Sequence, residues 1–89
     1  MSRQIRVLVV DDERVERNIL ETHLSKIDNF DLVASYKNAL EAFHIINSQE
    51  VDLIFLDINM PEISGLSFAK ALSNSTKVIF TTAYREYAV

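Results

Sequence analysis

Asp52-Leu53-Ile54-Phe55-Leu56-Asp57-Ile58-Asn59-Met60-Pro61-Glu62-Ile63-Ser64-Gly65-Leu66 decides how this chain folds. An apolar run ends in a lone carboxylate, Asp57. A proline turn follows, and then a glycine where a helix opens. A second apolar run, Val7-Leu8-Val9-Val10, leads into Asp11-Asp12-Glu13. If the two runs are neighbouring strands, several carboxylates converge at one edge of a sheet. Like charges that close raise each other's proton affinity or demand a cation. Such a cluster is costly for stability alone and points to a divalent-metal site with one carboxylate free to react.

The rest of the chain alternates strand and helix patterns around these runs. Ile5–Val10 is nearly continuous in apolar residues, as expected of a strand buried on both faces. Residues 13–27 carry Val15, Ile19, Leu20, Leu24 and Ile27, a broad helical stripe expected to face inward. Residues 30–35 read as a shorter strand. Residues 38–48 read as a second helix with Ala39, Ala42, Phe43 and Ile46 inward, and Asn38 followed by Glu41 has the form of a capping pair. Residues 52–57 form the third strand. Residues 64–74 form a third helix, N-capped by Ser64, with Leu66, Ala69 and Leu72 inward. Residues 77–82 form the fourth strand, and residues 86–89 begin another helix.

The order β-α-β-α-β-α-β with continuous apolar strands implies an α/β fold, a parallel sheet covered by helices on both faces. Its crossovers are expected to be right-handed. In such sheets the functional crevice lies at the carboxyl ends of the strands. Asp11, Asp12, Asp57 and Thr82 all fall there.

Composition narrows the function. The 89 residues suffice for one small domain, 48% hydrophobic and 25% charged, as in ordinary globular proteins. A net charge of −4 argues against a nucleic-acid-binding face. The absence of cysteine excludes disulfides and thiolate chemistry. Apolar runs fall far short of the ~20 residues that span a bilayer, and the first residues lack the apolar core of a signal peptide. The chain is therefore expected in the cytoplasm. With one glycine, it has no Gly-x-Gly-x-x-Gly loop for a dinucleotide.

Three pieces, Val-Val-Asp11-Asp12-Glu13, Leu-Asp57-Ile-Asn59-Met-Pro61-Glu-Ile-Ser-Gly65-Leu and Phe-Thr-Thr82-Ala83, resemble the receiver domain of bacterial two-component response regulators. They occur in that family's order across nearly the whole chain. The resemblance implies a flavodoxin-like fold with strand order 2-1-3-4-5. In this chain that becomes 2-1-3-4, one receiver domain over residues 1–89, with the fifth strand and last helix missing. It implies that Asp57 accepts a phosphoryl group from the phosphohistidine of a sensor histidine kinase. Asp11 and Asp12 would hold Mg²⁺ together with Asp57, and Asn59 would add its backbone carbonyl. Thr82 would hydrogen-bond the phosphoryl group, and Pro61 and Gly65 would shape the loop beside it.

Residues 82–89 are also similar to receivers joined to LytTR-type DNA-binding domains, which leaves DNA contact to an effector domain outside this segment. The fifth-strand lysine of the family has no counterpart, since neither Lys70 nor Lys77 ends a fifth strand. A receiver-like interaction module that no longer signals by phosphorylation is therefore the alternative reading. The resemblance implies a signalling domain and not an enzyme. A phosphatase of the dehalogenase kind would place Asp-x-Asp after the first strand, and this chain has Asp11-Asp12-Glu13 there.

Plainer readings accompany several residues. Asp11 and Asp12 suit the start of a helix whatever else they do. Thr82 fits a strand by shape alone. His23 and His44 are expected at the surface. Phe43, Phe55, Phe68 and Phe80 are expected in the core. A 2-1-3-4 sheet leaves the fourth strand as an apolar edge, so self-association into homo-oligomers is expected.

Overall fold

The computed structural model describes residues 4–57, 70, 72 and 75–81. They form β1 (Ile5–Val10), α1 (Arg14–Leu24), β2 (Phe30–Tyr36), α2 (Ala39–Ser48), β3 (Leu53–Asp57) and β4 (Lys77–Thr81). The strands make one parallel sheet in the order β2-β1-β3-β4. The α/β reading and its strand order thus hold. The expected third helix, residues 64–74, and its Ser64 cap lie outside the described residues, apart from Lys70 and Leu72. Phe68 lies outside them as well.

The alternation of side chains along each strand divides the core in two. Leu8, Val10, Ile54 and Leu56 face α2 and pack with Ala39, Ala42 and Val51; Phe43, Ile46 and Val78 close over them. Val7, Val9, Leu53 and Phe55 face α1 and pack with Leu24 and Leu20. Val7 to Val10 are fully buried, as a central strand with a helix on each face requires. Each helix therefore lies on its own face of the sheet.

The helix ends follow local chemistry. The side chain of Asn38 accepts a hydrogen bond from the Glu41 amide at 2.9 Å, the expected cap. Helix α1 stops at Leu24, three residues short of the expected limit at Ile27. There the amides of Lys26 and Ile27 turn to the carbonyls of His23 and Leu24, tightening the last turn.

Two burial expectations need correction. Val15, Ile19 and Ile27 are exposed, at 67%, 52% and 44%, whereas Leu20 and Leu24 carry the contact with the sheet. A stripe of apolar residues marks one side of a helix, but a sheet covers only part of that arc. Phe80, expected in the core, is 39% exposed on β4, which among the described residues pairs only with β3. His23 and His44 are exposed, as expected.

Candidate phosphoacceptor and metal site

The carboxyl ends of β1 and β3 meet because the two strands are parallel neighbours in register, with Val10 opposite Leu56. Asp11 and Asp57 follow these residues directly. Oxygens of Asp11, Asp12 and Asp57 lie within 4.8 Å of one another. Asp11 and Asp57 are buried, 1% and 5% exposed, and Asp12 is open to solvent. The chain thus brings together three of the expected site residues. Asn59, Pro61, Gly65 and Thr82 lie outside the described residues.

Asp11 is held from several sides. Its amide donates to the Tyr36 carbonyl at 3.0 Å, which continues the pairing of β1 with β2 beyond Val10. Its Oδ1 accepts from the Glu13 amide at 2.8 Å, closing the turn that leads into α1. Asp11 thus shapes the turn before α1 without capping the helix itself, whose N-cap residue is Glu13. The Arg17 guanidinium donates to the Asp11 carbonyl at 2.8 Å.

Electrostatics are strained at Asp11. Burial pushes its carboxyl up to about 6 from the ordinary 3.8; the hydrogen bond from the Glu13 amide pulls the other way, and the Glu16 carboxyl and the Asp12 charge add to the rise. Sequence reasoning missed Glu16 and Arg17. Both sit in the first turns of α1, and only the packing of that helix end against the β1 loop makes them neighbours of Asp11.

Three clustered carboxylates are a hard oxygen donor set, which Mg²⁺ or Ca²⁺ prefers. A cation there would also favour the ionised form of Asp11, which burial disfavours and the neighbouring Glu16 and Asp12 carboxyls oppose further. By donor chemistry and spacing, the residues present fit a small divalent ion.

The family profile described as "response regulator receiver domain" matches residues 7–89. The chain belongs to the response regulator receiver domain family. This receiver is 41% identical over 87 residues to an uncharacterised response regulatory protein of Yersinia pestis, covering 96% of this chain and 37% of that protein. It is 39% identical over 87 residues to the transcriptional regulatory protein BtsR of Salmonella typhi, covering 96% and 36%. The chain thus spans a little over a third of the length of the curated relatives it matches.

Among solved structures, the receiver superimposes on the response regulator TrrA of Thermotoga maritima in complex with Mg²⁺ and beryllofluoride, with a TM-score of 0.80 and 37% identity, over 94% of this chain and 74% of that one. It matches CheY6 of R. sphaeroides, solved with the P1 domain of CheA3, with a TM-score of 0.81 and 26% identity, over 99% of this chain and 70% of that one. This receiver is therefore a signalling domain of a two-component system.

Proposed function

We propose that this receiver takes a phosphoryl group on Asp57 from the phosphohistidine of a sensor histidine kinase. The observation that carries the reading is the buried Asp57 at the end of β3, with the carboxylates of Asp11 and Asp12 gathered about it. An Asp57 carboxylate oxygen attacks the phosphorus. The P–N bond to the imidazole breaks, its electron pair leaves with the ring nitrogen, and an acyl phosphate forms. No general base is needed, because a carboxylate is already ionised at neutral pH. Phosphoryl transfer depends chiefly on positioning and charge stabilisation.

Asp11 and Asp12, with Asp57 itself and the Asn59 carbonyl, would hold Mg²⁺. Burial keeps Asp11 fixed, while exposed Asp12 can rotate to meet a hydrated ion. When bound, Mg²⁺ supplies positive charge that offsets the crowded carboxylates and the phosphoryl oxygens. Thr82 would hydrogen-bond the attached phosphoryl group.

The kinase partner is supported by the relative solved with a CheA3 P1 domain. Control of transcription by the whole protein is supported by the name of the BtsR relatives. Among the described residues no helix is long and apolar enough to cross a membrane, and the cytoplasm is the compartment we propose.

Intact-mass spectrometry after treatment with acetyl phosphate and Mg²⁺ tests the reading. One added phosphoryl mass, labile to hydroxylamine and lost in Asp57→Asn, is expected. An unmodified chain would instead mark a receiver that serves as an interaction module.

A further inference from the structure

Thr81, the last residue of β4, has a side-chain hydroxyl that is shut off from solvent and has no hydrogen-bond partner. A buried hydroxyl left unpaired costs free energy, and valine would fill the same β-branched shape without that cost. The position of the hydroxyl gives it a use. Thr81 pairs in register with Asp57, as Leu56 does with Phe80. Val78 and Leu56 pack on the α2 side of the sheet, and Phe55 packs on the α1 side. Alternation along the strands therefore puts Asp57 and Thr81 together on the α1 side. Asp11 follows Val10, the register partner of Leu56, and joins the same level of the sheet.

Asp11, Asp57 and Thr81 thus form a row across β1, β3 and β4, with neighbouring strands about 4.8 Å apart. An ionised carboxylate can only accept hydrogen bonds, and Thr81 brings a donor to that row. Neither Thr81 nor its hydroxyl is among the residues that the resemblance assigned to the site. We propose that Thr81 is a positioning residue for the acceptor: its hydroxyl donates a hydrogen bond to an oxygen of the phosphorylated Asp57 side chain, a bond not made in the unphosphorylated chain. The inference rests on Asp57 as the phosphoacceptor and adds a second donor beside the one expected of Thr82.

The test compares wild type, Thr81→Val, Thr81→Ser and Asp57→Asn. Beryllofluoride with Mg²⁺ is the probe, because its beryllium bonds to the carboxylate and its fluorines stand where phosphoryl oxygens would be. Two quantities are read for each protein: beryllofluoride affinity and the melting temperature of the ligand-free chain. Thr81→Val should weaken beryllofluoride binding about fivefold to tenfold, the size of one hydrogen bond, and should not lower the ligand-free melting temperature. Thr81→Ser should keep the affinity.

A Thr81→Val chain that binds beryllofluoride like wild type would overturn the proposal, whatever its melting temperature. So would a lower ligand-free melting temperature in Thr81→Val that Thr81→Ser restores, since the hydroxyl would then have a partner in the resting fold. Failure of the Asp57 reading looks different: wild type would not bind beryllofluoride, or Asp57→Asn would bind it equally well. Either result would overturn both inferences.

Discussion

The two ends of this sheet handle polar groups in opposite ways. At the amino end, Arg6 ties three segments together. Its Nε donates to the Glu50 carbonyl at 2.7 Å, its guanidinium reaches the Gln49 side chain, and its amide donates to Asp52 Oδ2 at 2.9 Å. The Asp52 amide returns a bond to the Arg6 carbonyl, and the Lys77 amide bonds the Asp52 carbonyl. Thr76 closes the same end with a bond to the Val51 carbonyl at 2.9 Å. At the carboxyl end, acidic oxygens crowd within 4.8 Å, Asp11 is pushed toward protonation, and the Thr81 hydroxyl is unpaired. One end is arranged for stability. The other holds unfavourable terms that a cation and a phosphoryl group would relieve, as is common where function resides.

The largest expected effect breaks the carboxyl end outright. Asp57→Asn should lose all phosphorylation by acetyl phosphate, because an amide cannot accept the group as a carboxylate does. Its ligand-free stability should hold or rise by about 1 kcal/mol as one crowded charge is removed. Intact mass and urea unfolding read both quantities. Label that persists in the variant would move the acceptor elsewhere.

Next in size is a pH effect at Asp11. Its carboxyl is raised to about 6 in the fold from the ordinary 3.8. Between these values the folded chain binds more protons than the unfolded chain, so the Asp11 contribution to stability falls as pH rises. The burden is absent below about pH 4 and complete above about pH 6, with a ceiling of about 3 kcal/mol that solvent screening reduces. Other carboxylates titrate in the same window, so the useful quantity is the difference between wild type and Asp11→Asn. The variant should match wild type near pH 4 and be more stable at pH 7 without metal. Millimolar Mg²⁺ should narrow the gap by stabilising only the wild type. A gap independent of pH would remove this account of Asp11.

The amino end should respond in the reverse sense. Arg6→Ala should destabilise the fold by about 1 kcal/mol through its lost hydrogen bonds, while the rate of Asp57 phosphorylation stays unchanged. A variant that folds normally but phosphorylates slowly would show that the two ends are coupled.

The smallest effect is expected away from both ends. Val15 is 67% exposed on α1, and Val15→Asn should change stability by less than about 0.5 kcal/mol. A loss above about 1 kcal/mol would show that this face of α1 is covered in solution.

Much of this was legible in the residue order, for reasons that particular residues make plain. The nearly continuous apolar run Ile5–Val10, broken only by Arg6, announced a strand buried on both faces, and Asn38 with Glu41 marked a helix start. Asp11 and Asp57 were legible as partners because each ends an apolar strand, and parallel strands align their carboxyl ends. Burial was less legible. Val15, Ile19 and Phe80 belong to apolar patterns, yet periodicity gives the direction of a side chain and not what covers it.

The sequence by itself determined the alternation of strands and helices, the family, and the carboxylates available for chemistry, because these depend on local pattern and residue type. Only the tertiary structure decided which side chains share one level of the sheet. Register across β1, β3 and β4 brings Asp11, Asp57 and Thr81 into a row, and the packing of the α1 end sets Glu16 and Arg17 beside Asp11. Those neighbours lie on different elements or across a turn, and their proximity is a property of packing that no local pattern encodes.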